Sequence, residues 1–444
     1  MDSAARESLA QSVLAFAKGR GESEVSVFAV DDGLTRFTHN AIHQNVARAE
    51  VTVHLRTIVD GQTGVASTNS LDDAALRKLA TRAAAMARLA PQDPVFPGLP
   101  SGGPTEAPPD SFVAATAAAT PELRAQLAAD VFSIANRDDL WAAGYVKTAS
   151  HGVTIGNTRG TLASFDGTDS GVNVKANAPD STGFAERNTA DVTKLDAAQA
   201  ASAAAEKAMR SRDPEPVEAG EWTVILESPA FGDLLSYLTD HFSAQAFDEG
   251  SSFLSEGLDR RYVGDNVTIF DDYAHPLAPS MPFDYEGVPK QRLALFERGV
   301  AKNVVTDSYW AAKLGLPNTG HALAAPNSDG PLPMNVVVAP GTKPLAQLIA
   351  ETKQGILVSR FWYIRPVDLR KTVVTGMTRD GTFLIENGEI VCGVRNMRFN
   401  QSILAALGNV EFSSEGARSS AYSYSNVVPA AKIEGFRFTS STEF

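Results

Sequence analysis

The chain reads as an α+β protein: a mixed N-terminal α/β domain followed by a β-dominated C-terminal domain. Three observations predict this. Helix-spaced apolar runs alternate with strand-like runs up to about residue 210. Beyond that point, β-branched and aromatic runs separated by turn dipeptides take over. Between them, Asp213-Pro214-Glu215-Pro216 cannot continue a helix. It therefore sets the boundary between residues 1–215 and residues 216–444. A chain of 444 residues is also too long for one simple core.

In order, Leu9, Val13, Leu14 and Ala17 mark an amphipathic helix stopped at Gly19 and Gly21. Val25 to Val30 alternates as a strand, Asp32-Gly33 signals a hairpin, and Thr35 to Asn40 is its return. Val51 to Val59 and Gly64 to Ser67 are strands around Asp60-Gly61, and Leu71 to Leu89 is a helix capped near Ser70. Pro91 to Pro109 is a surface connector. Thr120-Pro121-Glu122 opens a helix ending near Asn136, with proline in its first turn and an acid at the positive dipole end. Trp141 to Lys175 reads as several short strands with turns at Gly156-Asn157, Arg159-Gly160 and Asp166-Gly167. Ala197 to Arg210 is an alanine-rich helix.

In the second half, Trp222 to Leu226 is a strand, followed by one helix from Ala230 to Phe247 with Phe231, Leu234, Leu235, Leu238, Phe242 and Ala246 along its apolar stripe. Asn266 to Phe270, Met334 to Ala339, Ile356 to Arg365 and Ala430 to Thr439 are strands. Phe383 to Cys392 is a hairpin, because Asn387-Gly388 suits a type I′ turn. Lys343 to Thr352 and Ser402 to Leu407 are short helices.

Composition narrows the function classes. The chain is 43% apolar and 20% charged, as soluble globular proteins are. Its net charge of −13 argues against broad contact with nucleic-acid phosphates or anionic lipid. A single cysteine, Cys392, excludes an internal disulfide framework and any multi-cysteine metal site. No secretory signal or membrane-spanning run is present, so a cytoplasmic location is expected.

Several residues invite a chemical reading. His39 and His43 would share one helix face and could bind zinc, but they sit in a strand-and-turn region without the acid of an H-E-x-x-H motif. Cys392 has no flanking histidine to activate it. Asp271-Asp272 and Asp284-Tyr285-Glu286 could bind metal or perform acid–base work; their proline- and glycine-rich surroundings favour turn capping. Arg360-Phe361-Trp362-Tyr363-Ile364-Arg365 could stack a single strand of nucleic acid or line a peptide groove, and a buried strand with solvated arginines is the simpler reading. His241, one turn beyond Leu238, is a metal ligand, a catalytic base or a satisfied core residue. No G-x-S-x-G elbow, P-loop or dinucleotide fingerprint occurs.

From Trp222 onward the sequence resembles the TldD/PmbA family, once called modulators of DNA gyrase and associated with a metallopeptidase system. The resemblance rests on an ordered series: Tyr262-Val-Gly-Asp-Asn-Val-Thr-Ile-Phe-Asp-Asp272, Phe283-Asp-Tyr-Glu-Gly-Val-Pro-Lys-Gln-Arg292, Leu295-Phe-Glu-Arg-Gly-Val300, Asn318-Thr-Gly-His321 and Leu384-Ile-Glu-Asn-Gly-Glu-Ile390. It implies two domains and a pair of homologous subunits. The TldD-type subunit carries H-E-x-x-x-H and a later cysteine as metal ligands, with the Glu as general base. The PmbA (TldE) type lacks this set.

Here the six motif positions read Ser236, Tyr237, Leu238, Thr239, Asp240 and His241. Serine replaces the first ligand, tyrosine replaces the base, and the last histidine alone remains. Cys392 comes too early to be the third ligand, and Glu411 to Asn426, where that ligand belongs, has no cysteine. One imidazole does not make a catalytic zinc site. The resemblance therefore implies a non-catalytic PmbA/TldE-like subunit with no cofactor of its own. Zinc or a similar divalent metal would sit in a TldD-type partner, in a heterodimer or with self-pairing as the other arrangement, and unfolded peptide would be the substrate. Nucleic acid and membrane are not expected partners. Two alternatives stand beside this: a divergent peptidase using His241 with Asp240, Asp284 or Glu286, and a regulator that binds DNA gyrase.

Overall fold

The computed structural model describes residues 1–103, 105–419 and 426–442. The fold is α+β, as the sequence predicts. Its first half is helix α1 (Ser3–Ala17), β1 (Glu22–Thr38), β2 (Ala41–Val59), β3 (Gln62–Thr68), α2 (Asp73–Ala87), a single turn α3 (Ala114–Ala117), α4 (Pro121–Arg137), β4 (Trp141–Asn157), β5 (Leu162–Asn177), β6 (Thr182–Thr189) and α5 (Ala197–Arg210). The strands form one antiparallel sheet in the order β3-β2-β1-β4-β5-β6. Helices cover one face: α1 and α2 pack on Val25, Val27, Val53 and Leu55, while α4 and α5 pack on Phe37, Val146, Val172 and Val174. Part of the other face, Val153, Ile155, Ala163 and Phe165, meets Met281 and Phe283 from the second half.

Two expected turns are strand interior instead. Asp32-Gly33 lies within β1, and the hairpin turns at His39-Asn40, both with positive φ (50° and 55°). A Cβ at position 33 would lie 2.3 Å from the Arg124 guanidinium carbon, so this glycine exists to admit a buried arginine. Asp166-Gly167 likewise lies within β5, where position 167 faces the His151 ring. The short strands expected over Trp141 to Lys175 are accordingly two long ones. The cap of α2 is Asp72, accepting from Ala75 N, rather than Ser70.

The second half is β7 (Gly220–Leu226), α6 (Ser228–Thr239), α7 (Ala244–Asp248), β8 (Ile269–Asp271), β9 (Leu293–Glu297), β10 (Val300–Ala301), α8 (Ser308–Leu314), β11 (Val336–Val338), α9 (Leu345–Ala350), β12 (Gln354–Asp368), β13 (Val373–Glu386), β14 (Glu389–Gly393), β15 (Met397–Ser402), α10 (Ile403–Gly408), β16 (Val410–Ser419) and β17 (Asn426–Ser441). The strand path β17-β15-β13-β12-β7 closes, because β7 pairs in parallel with β12 and antiparallel with β17. Closure leaves these five strands without a free edge along that path. Phe361, Phe399, Phe436 and Phe438 stack together in the core, with centroids 4.6 Å apart for Phe361–Phe399 and 5.3 Å for Phe399–Phe436. Asn387-Gly388 makes the predicted hairpin turn between β13 and β14.

The single helix expected from Ala230 to Phe247 is interrupted. It ends at Thr239, tightens into a 3₁₀ turn at Asp240–Phe242 and resumes at Ala244. Ser243 is extended, and the backbone there trades helical bonds for two to Val305: Val305 N to Phe242 O at 2.8 Å and Ala244 N to Val305 O at 3.0 Å. Periodicity alone could not show this, because the apolar side chains remain buried on either side of the break.

Candidate functional site: helix α6 and the cleft between the two sheets

Helix α6 follows β7 directly, with Pro229 in its first turn, and buries Phe231, Leu234, Leu235 and Leu238 against the core. The six motif positions lie across its end. Their side chains diverge. Ser236 Oγ donates to Asp233 O of its own helix at 2.8 Å. Tyr237 Oη donates to Ile364 O of β12 at 2.7 Å. His241 lies in the 3₁₀ turn, 6% exposed, with its ring 5.5 Å from that of Phe253. Burial pushes its pKa down to about 4, so it is neutral near pH 7. Among the described residues, no three His, Cys, Asp or Glu side chains come together as a metal site.

The end of β16 lies against this helix: a Cβ at Gly232 would be 2.7 Å from Ser419 Oγ. The stretch expected to hold the family's third ligand thus meets α6 about one turn before Ser236. Residues 420–425 of that stretch lie outside the described residues.

Beside α6 a cavity of about 360 Å³ opens between the two sheets, lined by Asp233, Glu186, Tyr145, Arg360, Trp362 and Tyr363 among others. Burial raises the Asp233 pKa to about 7, opposed by Arg360 and reinforced by Glu186. That places a proton-exchanging carboxyl at the cavity wall, which sequence reading missed; it is an ordinary helix acid by pattern. The arginine–aromatic strand of β12 fits its simpler reading in part. Phe361 and Ile364 are buried, but Trp362 and Tyr363 are 44% and 66% exposed. Arg360 is only partly exposed: it lies 4.3 Å from the Phe184 ring and pairs with Asp380 at 3.5 Å, whereas Arg365 is solvent-exposed as expected. Asp380 in turn binds Lys175 and Thr182 of the first sheet. Tyr363 has φ 55°, rare for an aromatic residue, at an irregularity in the β12–β13 register.

The other singled-out residues are dispersed. His39 stacks on Trp141 at 4.3 Å, whereas His43 is exposed on β2 across the turn. Cys392 lies on β14, its pKa raised by burial and then by Glu215 and Glu386, the reverse of an activated thiol. Asp271 is fully buried, 3.4 Å from His321 Nε2 and accepting from Asn335 N, while Asp272 pairs with Arg292. Asp284 accepts from three backbone N–H groups, of Glu286, Val288 and Ala322, each at 2.9 Å. Glu286 binds Arg56 and Ser308 N. Asp240 is solvent-exposed. No described helix is long and apolar enough to cross a membrane.

Comparison with known proteins gives the family and the fold. The sequence profile of the PmbA/TldA metallopeptidase C-terminal domain matches residues 219–440, and that of PmbA/TldA metallopeptidase domain 1 matches residues 24–87. A protein named zinc metalloprotease TldD homolog from Saccharolobus solfataricus is 27% identical over 45% of this chain and 45% of its own length. One named metalloprotease PmbA homolog from Haemophilus influenzae is 28% identical over 42% of this chain and 39% of its own. The chain thus spans less than half the length of these curated relatives. The crystal structure of TldE from Thermococcus kodakarensis superposes with a TM-score of 0.89 at 22% identity, covering 97% of this chain and 100% of that one, which establishes a shared fold. With half of its length matched by the C-terminal domain alone, the chain belongs to the PmbA/TldD metallopeptidase family.

Proposed function

We propose that this chain is a metal-free, TldE-like subunit of a cytoplasmic TldD-type peptidase complex, built as two domains divided near residue 215. It would shape the chamber in which a metal-bearing partner cleaves unfolded peptide. The observation that carries the reading is the divergence at positions 236, 237 and 241. Each side chain is committed to a different structural contact, and two of the three are not of the ligand or base type. A zinc ion needs three protein ligands converging on one point.

Of the three carboxylates that a divergent site would borrow, Asp284 is held by backbone N–H groups, Glu286 by Arg56, and Asp240 is solvent-exposed beside the buried His241. Peptide capture by strand addition has a structural basis in β2. Its outer edge from Ala41 to Thr52 has no partner strand among the described residues, since β3 pairs only from Val53 onward.

The test is to purify the chain alone, and together with a homologue bearing H-E-x-x-x-H, and to measure bound zinc and cleavage of an unfolded peptide. The expected result is that zinc and cleavage appear only with the homologue, and that His241→Ala in this chain leaves the complex active. Stoichiometric zinc and robust cleavage by the chain alone would overturn the reading.

A further inference from the structure

A second cavity, of about 810 Å³, lies where the end of α2 and strands β2 and β3 face α8 and the 322–330 loop. One wall is apolar and aromatic: Phe96, Trp310, and at the rim Met86 and Leu89, which are 47% and 87% exposed. The polar wall holds Arg56, Glu286 and Asp307. Arg56 Nη2 is shared between Glu24 and Glu286, each at 3.0 Å. Asp307 accepts from Trp310 N at 2.8 Å and has no ion pair among the described residues. Two carboxylates thus share one guanidinium, and a third, Asp307, lines the same cavity without a cation at ion-pair distance among the described residues.

Buried carboxylates without matching cations are costly. Burial raises the pKa of Glu24 to about 7 and that of Asp307 to about 6, as expected of acids short of a cation. A ligand suited to this place brings one positive charge, with apolar bulk a few bonds away to meet Phe96 and Trp310. A free α-amino terminus does this, because its first side chain branches from the carbon that bears the ammonium. We propose that this cavity binds an unblocked peptide N-terminus whose first residue is large and apolar. The ammonium sits at Asp307 and Glu286, and the side chain lies along the aromatic wall.

The proposal is measured on the lone chain and is independent of the metal-free reading, which is tested by zinc and cleavage. Isothermal titration with phenylalanyl-alaninamide should give saturable binding. Its N-acetylated form should bind about tenfold more weakly or worse, the loss of a charge-assisted contact. Asp307→Asn, which keeps an acceptor for Trp310 N, should cause a similar loss. Asp307→Ser, also a capping residue, serves if melting shows that the asparagine variant is unstable. Equal affinity for the free and acetylated peptides, tighter binding of N-acetyl-lysinamide, undiminished binding by the charge-free variant, or no saturable binding would each overturn the proposal.

Discussion

His241 owes its character to desolvation rather than to a partner. An imidazole that is 6% exposed against Phe253 resists protonation, so its pKa in the folded chain falls from 6.5 to about 4. A lowered folded pKa makes a contribution that is complete above the unfolded value and is lost as pH falls through the folded one. The chain should therefore lose stability between about pH 6.5 and pH 4, with this ring accounting for on the order of 3 kcal/mol of the loss. His241→Leu should flatten the melting temperature over that interval; parallel curves for the two proteins would show that the ring does not fold neutral. Gly33 is decided by contact instead. A methyl group there would sit 2.3 Å from the Arg124 guanidinium, and that side chain is fixed by Thr35 and Thr148 hydroxyls. Gly33→Ala should cost about 1–3 kcal/mol through overpacking, read as a lower melting temperature at constant pH. Arg124→Met should reduce that penalty, because a flexible thioether can move aside.

Elements are held in place by polar clamps as much as by their own periodicity. Asp284 joins the 284–288 turn to residue 322 through three backbone N–H groups. Asp284→Ala would leave those donors unsatisfied, at about 1–3 kcal/mol each if they stay buried. The turn should therefore open locally: amide exchange at Glu286, Val288 and Ala322 should speed up well ahead of the amides of β12 and β13, and uniform exchange throughout would refute a local clamp. Where local chemistry decided an element, it was legible in advance. The boundaries of α5, the cap and proline of α4, and the Asn387-Gly388 and Asp60-Gly61 turns follow from residues next to one another. Where a distant residue decided it, the sequence misled. Glycines at 33 and 167 look like turns until Arg124 and His151 lie over them, and the break at Ser243 depends on Val305. The candidate site divides the same way. Ser236, Tyr237 and His241 could be singled out by aligning a motif, whereas Asp233 and the Glu24–Arg56–Glu286 trio depend on strands far apart in sequence meeting in space.

At the scale of the whole molecule, that trio is a bond between the two halves. Glu24 and Arg56 stand on neighbouring strands of the first sheet, and Glu286 belongs to the turn clamped by Asp284 in the second half. Their side chains are 3%, 13% and 7% exposed, so the charges depend on one another rather than on water. Replacing Arg56 with methionine keeps most of the volume but leaves two buried carboxylates without a cation. Breaking such a pair costs about 3–5 kcal/mol while the acids are ionised. Protonation offers relief: burial already holds the folded pKa of Glu24 above its unfolded one, and losing Arg56 removes the charge that opposes this, so Glu24 folds readily when neutral and opposes folding when charged. The deficit of Arg56→Met against the parent should therefore be small near pH 4.5 and grow as pH rises through about 7, the value burial already gives Glu24. Urea unfolding at the two ends of that range measures it, and a deficit that stayed constant with pH would assign Arg56 a packing role instead.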